Sequence, residues 1–277
     1  MPLTVVNVAY ALAPVTRATP GGAEQVLATL DEALVTRGHR SIVVAQEGSC
    51  VAGELMTVPR VDEPFTDDVQ ITARERVRRC VADVSAKADI VHFHGIDAAS
   101  VMPPLDIPAV VTVHLPIHWY PAEFLASTNI SFVCVSQSQF ADFPGSARVI
   151  PNGVDLTVFA PPAEFFYRNY AVSLSRICQE KNLHEGMDAA QMAGAEFFLA
   201  GNVAPYPSHE VYYREVGEPR LNDHCRFLGA LSIFERRDLL ASARCVLIPS
   251  TVAETSSLVA MESLACGTPV VAYRSGA

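Results

Sequence analysis

Short apolar runs alternate with stretches of helical spacing along the whole 277-residue chain. That alternation is the mark of βαβ units on a parallel sheet. Residues 3–9 read as the first strand, followed by a loop ending in Pro20-Gly-Gly-Ala-Glu24. Val26, Leu27, Leu30, Ala33 and Leu34 then recur at helical spacing, and Gly38 closes that helix. Further strands are expected at 41–45, 90–93, 109–113, 132–135 and 148–150, with Asp89, Pro108 and Ser131 as boundary signals. The Pro-rich stretch 159–163 is the linker candidate. Beyond it the rhythm restarts, with strands expected at 170–174, 196–200, 225–228, 245–248 and 269–272 and helices at 183–192, 234–243 and 257–266. The expectation is two Rossmann-like domains, 1–160 and 161–277, facing one another across a cleft. The chain stops at Ser275-Gly-Ala277, at a strand end where a further loop and helix should follow, so the second domain is expected to be truncated.

Composition narrows the function classes. Half the residues are hydrophobic and 18% charged, the balance of a globular protein. No run of about twenty apolar residues offers a transmembrane helix. The N-terminus lacks the basic and small-residue features of a secretory leader. The seven cysteines are scattered without a C-x-x-C pair, which suits reduced thiols in a cytoplasm and argues against a zinc site. A net charge of −10 argues against a nucleic-acid partner. Arg74, Arg76, Arg78 and Arg79 form the one dense basic cluster, which on a helix spreads into a solvated face.

The candidate chemistry gathers late in the chain. Glu254 follows an apolar strand, and Glu262 lies seven intervening residues on, about two turns into the next helix. Their spacing of eight residues would set them about 12 Å apart along a straight helix. Between them the free N–H groups at the helix start, around Ser256, Ser257 and Leu258, would stabilise a diphosphate. Arg176 and Lys181 follow the first strand of the second domain, where two cations could hold anionic oxygens. Of the 20 basic residues only Lys87 and Lys181 are lysines, so Lys181 is less readily a generic surface cation. Gly21 and Gly22, at the first strand–helix turn, would let backbone approach a ligand closely. His114 ends an apolar strand at the carboxyl edge, where parallel sheets bind ligands. His92 and His94 lie two apart and share a sheet face while the strand lasts, and only one of them is expected to reach a ligand.

These residues fall in ordered motifs: Gly21-Gly-Ala-Glu24, Asp89-Ile-Val-His-Phe-His-Gly95, Val113-His114, Val133-Cys-Val-Ser136, Val149-Ile-Pro-Asn-Gly-Val-Asp155, Ser175-Arg-Ile-Cys-Gln-Glu-Lys-Asn182, Leu199-Ala-Gly-Asn202, Phe227-Leu-Gly-Ala230, and the Glu254/Glu262 pair with Gly267-Thr-Pro-Val270. In that order they resemble the retaining GT-B glycosyltransferases of family 4. The resemblance implies an α/β GT-B fold and transfer of a sugar from a UDP- or GDP-linked donor to an acceptor hydroxyl of a sugar or small molecule. It implies no cofactor and no metal. It implies that Arg176 and Lys181 meet the diphosphate, Glu254 the donor sugar hydroxyls, Glu262 the ribose, and His114 the transferring sugar. Gly201 and the 229–231 turn, including Leu231, would shape the nucleobase pocket. His94 is a further candidate contact. The family's usual Phe-Gly between the acids is Ser256-Ser257 here, which leaves the donor sugar open. A nucleotide-sugar epimerase or phosphorylase on the same fold, or a chain that binds nucleotide without catalysis, are the alternatives. Acceptor and oligomeric state are not legible.

Overall fold

The computed structural model describes residues 1–17, 19, 21–61, 64–162 and 169–277; Pro20 and the end of the proposed linker, Ala163, lie outside them. The backbone separates into two compact units, Met1–Asn152 and Gly153–Gly276. Val154, Val158 and Phe159 pack into the second unit's core with Tyr170, Val172 and Leu240.

In the first unit the strands are β1 (Thr4–Val8), β2 (Arg40–Gln46), β3 (Glu54–Val58), β4 (Ile90–Phe93), β5 (Ala109–Val113), β6 (Ile130–Cys134) and β7 (Ala147–Val149). They form a parallel sheet in the order β3-β2-β1-β4-β5-β6-β7. Helices α1 (Gly22–Thr36), α2 (Asp67–Ser85), α3 (Ala98–Val101), α4 (Ala122–Leu125) and α5 (Gln137–Ala141) lie in the connections. Strands β1, β4 and β5 match the expected apolar runs because parallel strands covered on both faces read as near-continuous hydrophobic stretches. Val6, Val8, Val43, Val44, Val91, Phe93, Val111 and Val113 are all fully buried. Strand β3 was not expected. Its residues Glu54, Leu55, Met56 and Thr57 are mostly exposed at the sheet edge, so they carry no hydrophobic run. Gly38 has φ +80°, the left-handed conformation that ends α1.

The second unit has β8 (Tyr170–Leu174), β9 (Glu196–Ala200), β10 (Cys225–Gly229), β11 (Cys245–Ile248) and β12 (Val270–Ala272), parallel in the order β10-β9-β8-β11-β12. Its helices are α6 (Leu183–Met192), α7 (Pro207–Tyr212), α8 (Ile233–Ala241) and α9 (Leu258–Ala265). A turn of π-helix, Tyr213–Gly217, continues α7. That helical region was not foreseen, because Pro205 and Pro207 read as loop. Helix α8 begins with a capping box, in which the Ser232 hydroxyl accepts from Glu235 N–H and the Glu235 carboxylate accepts from Ser232 N–H. Two apolar cores cover the two faces of this sheet, one around Phe197, Leu199, Ile177 and Met187, the other around Val172, Val246 and Leu240. Both units are α/β with parallel sheets, as the strand rhythm predicts. Among the described residues no helix is long and apolar enough to cross a membrane.

Candidate functional site

In the second unit the chemistry collects at the carboxyl ends of the adjacent strands β8 and β11, the edge where open parallel sheets bind ligands. After β8 the chain makes a single 3-10 turn, Gln179–Lys181, and Asn182 takes φ +53° to enter α6. After β11 a loop crosses toward that turn. Thr251 N–H at 3.0 Å, Thr251 Oγ1 at 3.2 Å and Ser250 Oγ at 3.3 Å all donate to the Glu180 carbonyl. This clamp brings the two loops together, and Lys181 Nζ donates to Glu254 Oε1 at 2.6 Å. Both side chains are about four-fifths buried, at 17% and 20% exposure. Arg176 Nη2 donates to Glu180 Oε1 at 3.4 Å in the same turn. Thus Lys181 and Glu254, far apart in the chain, pair at this edge, and Arg176 is tied to the same turn through Glu180.

Helix α9 follows that loop. Ser257 is its N-cap, with Oγ accepting from Ala260 N–H at 3.3 Å. The amides of Leu258 and Val259 precede the first intrahelical bond, as helix geometry requires. Ser256 and Leu258 are partly buried beside them. Because the helix starts at Leu258, Glu262 stands little more than one turn in, not two. It is buried, and Arg236 Nη2 of α8 lies 3.1 Å from its Oε1. Burial pushes the Glu262 carboxyl up to about 7, against the opposing pull of Arg236. Among the described residues Glu262 Oε2 is buried with no hydrogen-bond partner, an acceptor on a carboxylate expected to meet hydroxyls. Arg236 was not singled out from the sequence. Its pairing joins two helices, and α8 shows a polar stretch, Glu235-Arg-Arg-Asp238, that reads as solvated surface.

Gly201 lies at φ +142°, and a Cβ there would stand 1.8 Å from the Ser175 carbonyl oxygen. Its N–H donates to the Gly229 carbonyl at 2.9 Å, and Gly229 itself has φ +72°. Backbone approach thus accounts for Gly201, and Leu231, half-buried after Gly229, leads into the capped start of α8.

In the first unit three histidines cluster at the ends of β4 and β5. The His92 and His94 ring centroids are 4.1 Å apart, and those of His94 and His114 are stacked at 5.4 Å. His94 Nδ1 and His114 Nε2 share a hydrogen bond of 3.2 Å, while His92 Nε2 bonds Thr112 Oγ1 at 2.8 Å. Burial pushes His92 down to about 4 and His114 down to about 3, and holds His94 well below its ordinary value, so all three rings are neutral near pH 7. Among the described residues His94 Nε2 is buried without a hydrogen-bond partner.

The backbone around His114 is held by two side chains that sequence reasoning passed over. Tyr120 Oη accepts from His114 N–H at 3.2 Å and Leu115 N–H at 3.4 Å. Gln139 Nε2 donates to the Val113 and Leu115 carbonyls at 2.8 and 2.9 Å, and its Oε1 accepts from Val135 N–H at 2.8 Å. Asp97 was also passed over. Burial pushes its carboxyl up to about 6, its Oδ2 accepts from Ala11 N–H at 3.1 Å, and Oδ1 has no hydrogen-bond partner among the described residues. At the start of α1, Glu24 is buried, and its Oε2 occupies the space 1.9 Å from where a Gly21 Cβ would stand. The bare Gly21 therefore admits the Glu24 carboxylate, and Gly22 begins the helix.

Comparison with known proteins places the chain in a family. The family model described as Glycosyltransferase Family 4 matches residues 20–158, and that of Glycosyl transferases group 1 matches residues 160–277. An MMP alpha-(1->4)-mannosyltransferase of Mycolicibacterium hassiacum is 27% identical over 267 residues, covering 94% of this chain and 60% of that protein. The chain thus spans about three-fifths of that relative's length. Among solved structures, sucrose-phosphate synthase from Thermosynechococcus elongatus is similar with a TM-score of 0.79 at 17% identity, over 99% of this chain and 82% of that one. Anabaena HepE in complex with UDP and glucose is similar with a TM-score of 0.73 at 19% identity, over 99% and 81%. These likenesses, with the two parallel sheets, give the fold as GT-B.

Proposed function

Because the chain belongs to glycosyltransferase family 4, we propose that it transfers a sugar from a nucleotide-diphosphate sugar, UDP- or GDP-linked, to an acceptor hydroxyl with retention of anomeric configuration. The observation that carries this reading is the convergence of Arg176, Lys181 and Glu254 at the carboxyl ends of β8 and β11, beside the start of α9. A leaving nucleoside diphosphate develops negative charge on its phosphate oxygens. A guanidinium, an ammonium and helix-start amides are the groups that stabilise it. Arg176 offers a planar fork for two oxygens and Lys181 a compact point charge.

Glu254 then has two partners in succession. Without donor it holds Lys181; with donor bound, Lys181 turns to phosphate and Glu254 accepts from sugar hydroxyls. Glu262, with one oxygen on Arg236 and the other unpartnered, suits the ribose hydroxyls. His114, neutral and bonded to His94, is proposed to contact the transferring sugar. Front-face attack, with the leaving phosphate taking the acceptor proton, would give retention without a bound ion. The UDP complex of the similar Anabaena protein and the mannosyltransferase name of the bacterial relative support a nucleotide-linked hexose donor. The free, mostly buried cysteines support a reducing compartment, the cytoplasm.

The test is product analysis. The chain is incubated with UDP-glucose or GDP-mannose and a panel of sugar acceptors, and the linkage is read by NMR. An α-glycoside from an α-linked donor, with release of nucleoside diphosphate, supports the proposal; an inverted product or simple hydrolysis with every acceptor contradicts it.

A further inference from the structure

We propose that Cys178, Glu180 and His209 form a binding site for a divalent cation of the zinc class. One ligand atom from each, a thiol sulfur, a carboxylate oxygen and an imidazole nitrogen, lie within 4.8 Å of one another. The fold assembles them from two elements. Cys178 and Glu180 flank Gln179 at the turn after β8, and His209 comes from α7, where its ring tilts against Tyr206 at 4.9 Å. Among the described residues His209 Nδ1 is buried with no hydrogen-bond partner, a cost that a bound ligand nearby would offset.

The donor set selects the metal. Thiolate and imidazole favour zinc, whereas magnesium and calcium take oxygen ligands. Tetrahedral zinc with bonds of 2.0–2.3 Å needs donors roughly 3.5 Å apart, so closure from 4.8 Å asks for side-chain shifts of about an ångström. Three protein ligands leave a fourth position for water. As the S–Zn bond forms, the thiol proton leaves to solvent, and no electron moves. Two cations oppose the metal. Arg176 holds Glu180 at 3.4 Å, and Lys181 lies one residue beyond it. Metal binding would draw Glu180 from Arg176, a partner exchange rather than the creation of a new buried charge. Cysteine spacing looks for thiol pairs, whereas this set joins one thiol to a carboxylate and an imidazole 31 positions on.

The test uses the reduced, metal-free 277-residue chain titrated with Co²⁺ and then Zn²⁺. The expected result is one equivalent of Co²⁺ with a thiolate charge-transfer band, displaced by Zn²⁺. Cys178→Ser and His209→Gln should each abolish the band or weaken binding by more than about tenfold. Cys50→Ser, at an exposed cysteine, should leave it unchanged. Zn²⁺ should raise the melting temperature of the parent chain but not of His209→Gln. Cys178 is buried, so if its variant fails to fold, the partly buried surface residue His209 decides. No thiolate band, or a band that survives His209→Gln unweakened, overturns the site. These readouts concern metal alone and stand apart from sugar transfer.

Discussion

Removing either partner of the Glu262–Arg236 pair should have unequal consequences, and the inequality should depend on pH. The two groups approach to 3.1 Å with side chains only 3% and 10% exposed. At an effective dielectric of about 20 their attraction is roughly 5 kcal/mol before the cost of removing both from water. Glu262→Ala leaves a guanidinium that cannot shed its charge, so the expected loss is about 3–5 kcal/mol at pH 6 and about 1–2 kcal/mol smaller at pH 8.5, where the parent has itself lost the stabilisation of the raised Glu262 carboxyl. Arg236→Met leaves a carboxyl that can take a proton. Already in the native protein the folded form of Glu262 is raised to about 7 by burial, above its ordinary 4.5. The folded state therefore binds more protons than the unfolded one. Its contribution is fully present below pH 4.5 and is lost through pH 7, about 3 kcal/mol in all. Without Arg236 the folded value rises further and the loss continues past pH 7. Arg236→Met should thus be mildly destabilised at pH 6 and increasingly so at pH 8.5. The double Met variant should sit within about 1–2 kcal/mol of the parent. Urea unfolding followed by far-ultraviolet circular dichroism at the two pH values reads these differences. Equal, pH-independent losses in both single variants, or a loss below about 1 kcal/mol for Glu262→Ala, would refute the buried-pair reasoning.

Other perturbations follow from single contacts. Tyr120→Phe removes the oxygen that accepts from His114 and Leu115 N–H, and should cost about 1–3 kcal/mol by thermal melting. Gly201→Ala forces a Cβ against the Ser175 carbonyl and should abolish soluble expression or lower stability by more than about 3 kcal/mol; a parent-like melting curve would show the turn to be adaptable. Lys181→Ala should weaken nucleotide binding by about tenfold or more, since it removes one phosphate cation and leaves Glu254 unpaired beside the remaining charge. Fluorescence titration with UDP and GDP measures it.

The sheet strands were legible because burial on both faces writes Val, Ile, Phe and Ala into short unbroken runs, as in Val110-Val-Thr-Val113. Edge strand β3 was not, since Met56 faces solvent and Glu54 pairs with Arg40. Helix α7 was hidden by the prolines that open it. In the second unit, motif order singled out Lys181 and Glu254, which the structure pairs, and in the first unit it singled out His114, which bonds His94. Their supports were not legible, because Tyr120, Gln139 and Arg236 act through single long-range hydrogen bonds or ion pairs that leave no local pattern. Glu24 was visible in its motif only as a neighbour of the glycines, while the structure shows it filling the space that Gly21 leaves.

Calorimetric titration of the chain with UDP and with GDP, alongside Arg176→Ala, tests the donor site most directly. The proposed site predicts saturable binding of one nucleotide, weakened by more than about tenfold in Arg176→Ala. Binding of neither nucleotide, or binding that Arg176→Ala leaves unchanged, would contradict a diphosphate seated at the carboxyl ends of β8 and β11.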